Sequence, residues 1–265
     1  MRIVSLASGS RGNATAVESG GALLLIDCGI SHGELCRRFA KAGLDMDRIE
    51  GVLFTHEHID HMRGAAIFRK RHPAVPLFAN LMTAEAISAA MPAGCARKDE
   101  AVPFAVFENG QPFEIGPFEV SAFPIPHDVC DPVGYMVRAE GRTYFHATDV
   151  GSPLDSIGAH LAEADCATLE SNHDPVMLRM SARPEPLKRR IAGPRGHLAN
   201  DEASALVARF ASPRLRYLAL AHLSGECNSP HIAERTMRQA LAETGKSGIQ
   251  LEILEQDGPG KGFSL

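Results

Sequence analysis

The sequence predicts an α/β protein in which two β-sheets pack face to face and carry helices on their outer faces. Three observations lead there. Strand-like and helix-like stretches alternate from one end of the chain to the other, and the strand-like stretches fall into two successive blocks interleaved with helices. The 265 residues have an ordinary globular composition and suffice to bury a sizeable core. No long linker, low-complexity tract or solenoid repeat divides the chain, so residues 1–265 are expected to form one domain.

The first block opens with a strand from Ile3 to Leu6, a Gly/Ser turn, a strand around Thr15 to Val17 and a third from Ala22 to Asp27. An amphipathic helix follows from about Gly33 to Ala42, and the apolar run Gly51 to Thr55 leads into a histidine cluster. Met62 to Arg71 reads as a helix, Pro76 to Phe78 as a short strand, and Met82 to Met91 as a helix stopped by Pro92 and Gly94. From Val102 to Phe145 the chain is rich in Phe, Val and Pro, with period-two stretches such as Phe118 to Phe123, the pattern of sheet. The second block places helices near Asp155 to Glu163, Met177 to Ile191, Glu202 to Phe210 and Ile232 to Glu243. Its strands are Cys166 to Leu169, Leu215 to Ala221 and Ile249 to Leu254.

Composition narrows the setting. With 45% hydrophobic and 22% charged residues, neither a disordered nor a fibrous class is favoured. No apolar run approaches the roughly 18 residues that span a bilayer, and the opening stretch lacks the apolar core of an export signal. The six cysteines are scattered without a CxxC pair, and most sit among apolar residues, which suits the reducing cytoplasm. A net charge of -5 argues against nonspecific attachment to nucleic acid or anionic membrane, though it permits a locally basic groove.

The chemistry concentrates in THEHIDH, which sets His56, His58, Asp60 and His61 within six residues directly after a buried strand. Residues i and i+2 of an extended segment project to the same side, so His56 and His58 can share one metal while Asp60 and His61 serve a second. Imidazole and carboxylate suit zinc first, with manganese or iron also accepted. The carboxyl end of an apolar strand is also where ligands gather in α/β sheets.

HxHxDH after a strand resembles the signature of the metallo-β-lactamase superfamily. The resemblance implies a four-layer αββα sandwich and three further ligands in order: a His, a bridging Asp and a last His. His127 in PIPHDV, Asp149 in YFHATDVG and His222 in LALAHLSG stand at matching places, each with apolar residues leading in. One ion would then lie on His56, His58 and His127, and a second on Asp60, His61 and His222, with Asp149 between them. Two such divalent transition-metal ions make a bridging hydroxide the expected nucleophile. Asp27, in LLLIDCG, matches a position where the superfamily often carries an Asp supporting the histidines. His146 reads as packed in its strand.

The superfamily alone is compatible with lactams, thioesters, lactones, phosphodiesters and oxygen reduction. His58 stands where the oxygen-reducing branch typically carries Glu, and no Cys occupies a ligand position, unlike some β-lactamases. Three segments point to phosphodiesters. The turn SGSRGN, with Ser8, Ser10 and Asn13, has the small residues and backbone N–H groups that cradle an oxyanion. Glu170 in ESNHD and His197 in GPRGHLAN resemble the pair by which tRNA-processing and related nucleases of this fold protonate the leaving oxygen, which suits a carboxylate-held His as general acid. His173 is a rival near the substrate. Arg179, Arg183, Lys188, Arg189, Arg190 and Arg195 lie against one acid, Glu185, and could attract phosphates.

Together these segments and AHLSGECN, with Ser224, resemble nearly end to end the YycJ (WalJ)-like branch, regarded as bacterial metal-dependent nucleases with exonuclease action on DNA. That implies catalytic roles for His197, Glu170 and Asp60, with substrate contacts from Ser8, Ser10, Asn13, His173, Arg195 and Ser224. DNA is the implied partner in preference to RNA, no membrane is expected, and a homodimer is compatible with the fold. Two departures, Ala199 where Ser is usual and Cys227 near a polar position, leave substrate contacts open. The competing readings are a small-molecule hydrolase of cyclic phosphodiesters, lactones or thioesters, and a non-catalytic regulatory metal-binding module. Steep salt dependence marks an enzyme of long nucleic acids and separates it from the first; turnover separates it from the second.

Overall fold

The computed structural model describes residues 1–91 and 104–265. The expected helix stop at Pro92 and Gly94, Cys95 and the start of sheet at Val102 lie outside the described residues. The chain runs β1 (Arg2–Ala7), β2 (Ala14–Ser19), β3 (Ala22–Ile26), α1 (His32–Ala42), β4 (Ile49–Leu53), α2 (Ile59–Met62), α3 (Ala65–Arg71), β5 (Leu77–Asn80), α4 (Leu81–Ala90) and β6 (Phe104–Phe107). There follow β7 (Phe113–Ile115), β8 (Phe118–Pro124), β9 (Val133–Ala139), β10 (Arg142–Ala147), α5 (Asp155–Ala162), β11 (Cys166–Glu170), α6 (Pro175–Met180) and α7 (Glu185–Ile191). Last come α8 (Asn200–Phe210), β12 (Tyr217–Ala221), α9 (Pro230–Glu243), β13 (Gln250–Ile253) and β14 (Phe263–Ser264).

Two seven-stranded sheets result, ordered β14-β1-β2-β3-β4-β5-β6 and β13-β12-β11-β10-β9-β8-β7. The alternation of side chains along each strand builds three layers of core at once. In β3, Leu24 and Ile26 face the second sheet while Leu23 and Leu25 meet α1, α3 and α4. In β12, Tyr217, Ala219 and Ala221 face inward while Leu218 and Leu220 meet α5, α8 and α9. Strands buried on both faces read as unbroken apolar runs, which is why the sequence showed them so plainly. The αββα sandwich is therefore present. No helix among the described residues is long and apolar enough to cross a membrane.

Three expected elements differ. The helix expected over Met177 to Ile191 is two, α6 and α7, separated where Pro184 cannot supply a backbone N–H and favours an extended predecessor. Met62 to Arg71 is likewise split, with Asp60 and His61 already inside the one-turn α2. The strand ending at Leu254 is not the last, because β14 returns to pair antiparallel with β1.

Each sheet is parallel in one half, β3 to β6 and β10 to β13, and the carboxyl ends of these strands lie along one edge of the sandwich. Three loops are knitted together there by backbone bonds: Asn13 N–H to Asp60 O (2.7 Å), Gly29 N–H to Asn13 O (2.8 Å), Cys28 N–H to His61 O (2.8 Å) and Gly64 N–H to Cys28 O (2.7 Å). The approach is so close that a Cβ on Gly29 would sit 1.7 Å from Asp60 O. Gly29→Ala should therefore cost about 3 kcal/mol or more of stability by forcing the loops apart. Urea unfolding measures this, and a loss below about 1 kcal/mol would show that the loops yield freely.

Candidate metal centre

The apolar run of β4 ends in Thr55, and the chain then delivers His56 and His58 before turning into α2 with Asp60 and His61. His127 follows β8, Asp149 follows β10, Glu170 ends β11 and His222 follows β12. All the residues expected as ligands are brought to one place. Donor atoms of His56, His58 and His127 lie within 4.8 Å of one another, as do those of Asp60, His61 and His222. Asp149 groups with His56 and His61 on one side and with Glu170, His197 and His222 on the other.

Local backbone strain accompanies this convergence. Asp27, Asp149 and His222 all adopt left-handed backbone (φ 60, 57 and 56°), a conformation uncommon for residues with a side chain. Among the described residues the one other such non-glycine is Glu140, in the β9–β10 turn. Strain of this kind persists where surrounding contacts over-determine it.

Those contacts are specific. Asp27, buried, accepts from Thr55 N–H (2.9 Å) and lies 2.7 Å from His61 Nδ1, so the Nε2 of His61 is turned toward Asp149 Oδ2 at 3.1 Å. His127 Nδ1 donates to Gly196 O (3.0 Å), which presents Nε2 toward His58. His56 Nε2 and His58 Nδ1 are 3.1 Å apart. His222 has Nδ1 2.9 Å from Glu170 Oε1 and Nε2 3.5 Å from Asp60 Oδ2. For His61, His127 and His222 one ring nitrogen is anchored and the other is offered, the arrangement in which a carboxylate or carbonyl fixes the tautomer of a metal ligand.

The residues fit a cation. Asp149 Oδ2 and His222 Nε2 are fully buried and, although His61 and Asp60 approach them at 3.1 and 3.5 Å, neither makes a well-directed hydrogen bond, an expensive condition unless something else satisfies them. Burial alone would hold His61 and His222 neutral, but the charges of Asp27 and Asp149 on the first, and of Asp149, Asp60 and Glu170 on the second, raise both above the ordinary histidine range. Asp149, despite burial, is held well below the carboxylate range by His222 and His61. The carboxylates thus demand positive charge, and without a metal protons on histidine provide it.

Glu170 and His197 are paired as expected. Glu170 is completely buried; Oε1 accepts from His197 Nδ1 at 2.8 Å and Oε2 accepts from the N–H groups of Val150 (2.8 Å) and Leu198 (3.1 Å). His197 is the partly exposed member, its ring stacked 5.3 Å from that of His222 and tilted by 59° against that of His127 at 5.2 Å. Burial lowers its pKa, but the charge and hydrogen bond of Glu170 outweigh that and raise it. His146 is buried in β10 with Nδ1 3.0 Å from Tyr144 Oη and joins none of the donor groups.

The residues expected to touch substrate are arranged differently. Ser8 is buried and accepts from the N–H of His222 (2.8 Å); Asn13 is buried with Nδ2 3.0 Å from His61 Nε2 and Oδ1 accepting from Gly9 N–H. The turn is not an open anion cradle, since the N–H groups of Gly9, Arg11, Gly12 and Asn13 are all bonded within the protein. Ser224 accepts from Cys227 N–H (3.1 Å), and Arg195 donates to His127 O (2.9 Å) and so braces the histidine loop. Ser10 is exposed, and His173 is buried with Nδ1 unpartnered. Half of the basic stretch is ion-paired in three dimensions, Arg183 with Glu226, Lys188 with Glu185 and Arg190 with Asp128.

The two sequence departures also find physical reasons. Ala199 is the N-cap of α8, where a Ser hydroxyl would accept from the helix; only the reciprocal bond remains, Ala199 N–H to Glu202 Oε2 at 2.9 Å. Cys227 packs with Leu178 and Ile191. Sequence reasoning missed Thr55, whose hydroxyl meets Asp27, His56 and His61, and Asn172, which donates to His222 O (2.8 Å). Thr55 was adjacent to the motif and could have been suspected; Asn172 works only through tertiary contact.

The beta-lactamase superfamily domain matches residues 23–219 of the chain. The protein is 33% identical over 253 residues to the exodeoxyribonuclease YycJ of Bacillus anthracis, covering 95% of this chain and 94% of that one. It is 30% identical over 251 residues to the exodeoxyribonuclease WalJ of Streptococcus pneumoniae, covering 94% and 92%. Among solved structures, the metallo-β-lactamase fold protein YhfI of Bacillus subtilis superposes with a TM-score of 0.68 at 17% identity over 99% of both chains, a likeness of fold. The chain belongs to the metallo-β-lactamase superfamily, within the YycJ/WalJ family, and it is a metal-dependent hydrolase.

His61 and His222 are raised above the ordinary histidine range by their carboxylate neighbours, so divalent ions bound on these two residues would have to displace their protons. Metal uptake at neutral pH should release protons, and affinity should fall as pH decreases. Calorimetry in buffers of different ionisation enthalpy measures the release; uptake without it would mean that the ions lie elsewhere.

Proposed function

We propose that the protein is a nuclease that hydrolyses phosphodiester bonds of DNA, in the manner of an exonuclease, with two metal ions at the centre described above. His56, His58 and His127 would hold one ion and Asp60, His61 and His222 the other, with Asp149 serving both; zinc is the first choice for this donor set, and manganese or iron also suit it. The chemistry divalent ions supply in such a site is activation of water and neutralisation of charge on phosphate oxygens.

The observation that carries the reading is the Glu170–His197 pair set over the ligand cluster. Hydrolysis of a phosphodiester expels an alkoxide that needs a proton. His197 has its Nδ1 committed to Glu170, which leaves Nε2–H as the donor, and the raised pKa keeps that proton in place near neutral pH. Glu170, fixed by two backbone N–H groups, cannot swing to take the proton itself. It orients His197 and His222 together through one oxygen, so acid and metal ligand are held in a single register. The YycJ and WalJ relatives, which match over nearly the whole chain, support DNA as the substrate.

Replacing His197 by Ala should leave metal content unchanged and slow cleavage of a DNA strand by about 10²–10⁴-fold. Cleavage of an aryl phosphodiester, whose leaving group needs no proton, should slow far less. Equal losses on both substrates would remove His197 as the acid. Absence of cleavage of single- and double-stranded DNA by the metal-loaded wild type would remove the nuclease reading.

A further inference from the structure

We propose that Arg190 binds a backbone phosphate of the DNA strand next to the scissile one, with Asp128 holding it in place; the proposal rests on the nuclease reading above. Arg190 stands in the last turn of α7, and its Nε donates to Asp128 Oδ2 at 2.5 Å. The other oxygen of Asp128, Oδ1, lies 3.6 Å from His127 Nε2, the nitrogen offered to the first metal position. A single carboxylate therefore separates the guanidinium from a residue of the ligand cluster.

The arginine is carried on the same frame as the acid and the ligands. Beyond α7, the N–H of His197 donates to Ile191 O (2.9 Å), and the carbonyl of Gly196 accepts from His127 Nδ1 (3.0 Å). Gly196 packs so closely on α7 that a Cβ there would sit 2.2 Å from Arg190 O. The end of α7, His197 and His127 thus keep one register.

Its hydrogen-bonding capacity is only partly used. Nε is spent on Asp128, whereas Nη1 and Nη2 have no hydrogen-bond partner among the described residues, and the side chain is 59% exposed. Two such nitrogens in one plane form the fork that meets a pair of phosphate oxygens. Arg195, the other arginine at this loop, turns its Nε and Nη2 to the carbonyls of His127 and Val129 instead. Arg183 and Lys188 are tied to Glu226 and Glu185. Metal ions at the centre neutralise the scissile phosphate. Arg190, set off from them by the width of Asp128, suits the next phosphate along. A small phosphodiester has no such second phosphate, so this residue favours a strand over a small-molecule substrate.

The test compares the metal-loaded full chain with its Arg190→Gln variant. In a His197→Ala background, where cleavage is slow, Arg190→Gln should weaken binding of a labelled single-stranded oligonucleotide about tenfold and flatten the salt dependence of that binding. With His197 present, KM for DNA should rise by a similar factor while kcat holds, the mark of lost uniform binding. Hydrolysis of an aryl phosphodiester should not change. Arg238→Gln, which breaks a comparable surface ion pair with Glu234 on α9, should alter none of these readouts. An equal effect of Arg238→Gln would reduce the result to net charge, and an equal loss on the aryl phosphodiester would make Arg190 a brace for His127; either overturns the proposal. DNA binding and KM unmoved by Arg190→Gln would overturn it alone, whereas a wild type that hydrolyses the aryl phosphodiester but not DNA would overturn the nuclease reading with it.

Discussion

Burying carboxylates without water is expensive, at several kcal/mol for each unpaired charge, and this protein places Asp27, Asp149 and Glu170 out of solvent within reach of one another's partners. That condition organises everything at the edge of the sandwich. Asp27 is tied to His61 and Glu170 to His197 and His222, and each tie leaves the opposite ring nitrogen facing a common space that Asp149 borders. The histidines are therefore not merely near one another; they are aimed. A cation in that space relieves the repulsion among the acids, and the protons carried by His61 and His222 occupy the same role in its absence.

The scaffold accepts considerable local cost to hold this arrangement. Three loops meet through backbone bonds closer than any side chain allows at Gly29, and three residues of the centre sit in left-handed backbone. Links between the sheets reinforce it: Tyr135 Oη donates to Phe54 O (2.5 Å) and Val133 N–H to Thr55 O (3.1 Å), fastening the second sheet to the strand end that carries the histidines. The centre lies on a seam, with Asp27 and the His56–His61 loop from one sheet and Asp149, Glu170 and His222 from the other. Its geometry depends on the packing between the two.

Much of this was legible in the sequence, for identifiable reasons. Strands covered on both faces left continuous apolar runs, and His56, His58, Asp60 and His61 are contiguous, so local pattern sufficed. His127, Asp149 and His222 carry no local signal that joins them, and they were found through the order of ligands in a resembling family. What escaped depends on tertiary structure. Ser8 and Asn13 looked like an anion-binding turn, but their side chains are spent on His222, His61 and Gly9. The basic stretch looked like a groove because its partners Asp128 and Glu226 are distant in sequence. The break at Pro184 was masked by basic residues on both sides.

Anomalous scattering from crystals of the zinc-loaded protein tests the central claim most directly. The account predicts two peaks at the seam, about 3.5–4 Å apart, one on His56, His58 and His127 and the other on Asp60, His61 and His222, with Asp149 between them. A single fully occupied peak, or peaks that leave Asp149 uncoordinated, would contradict it.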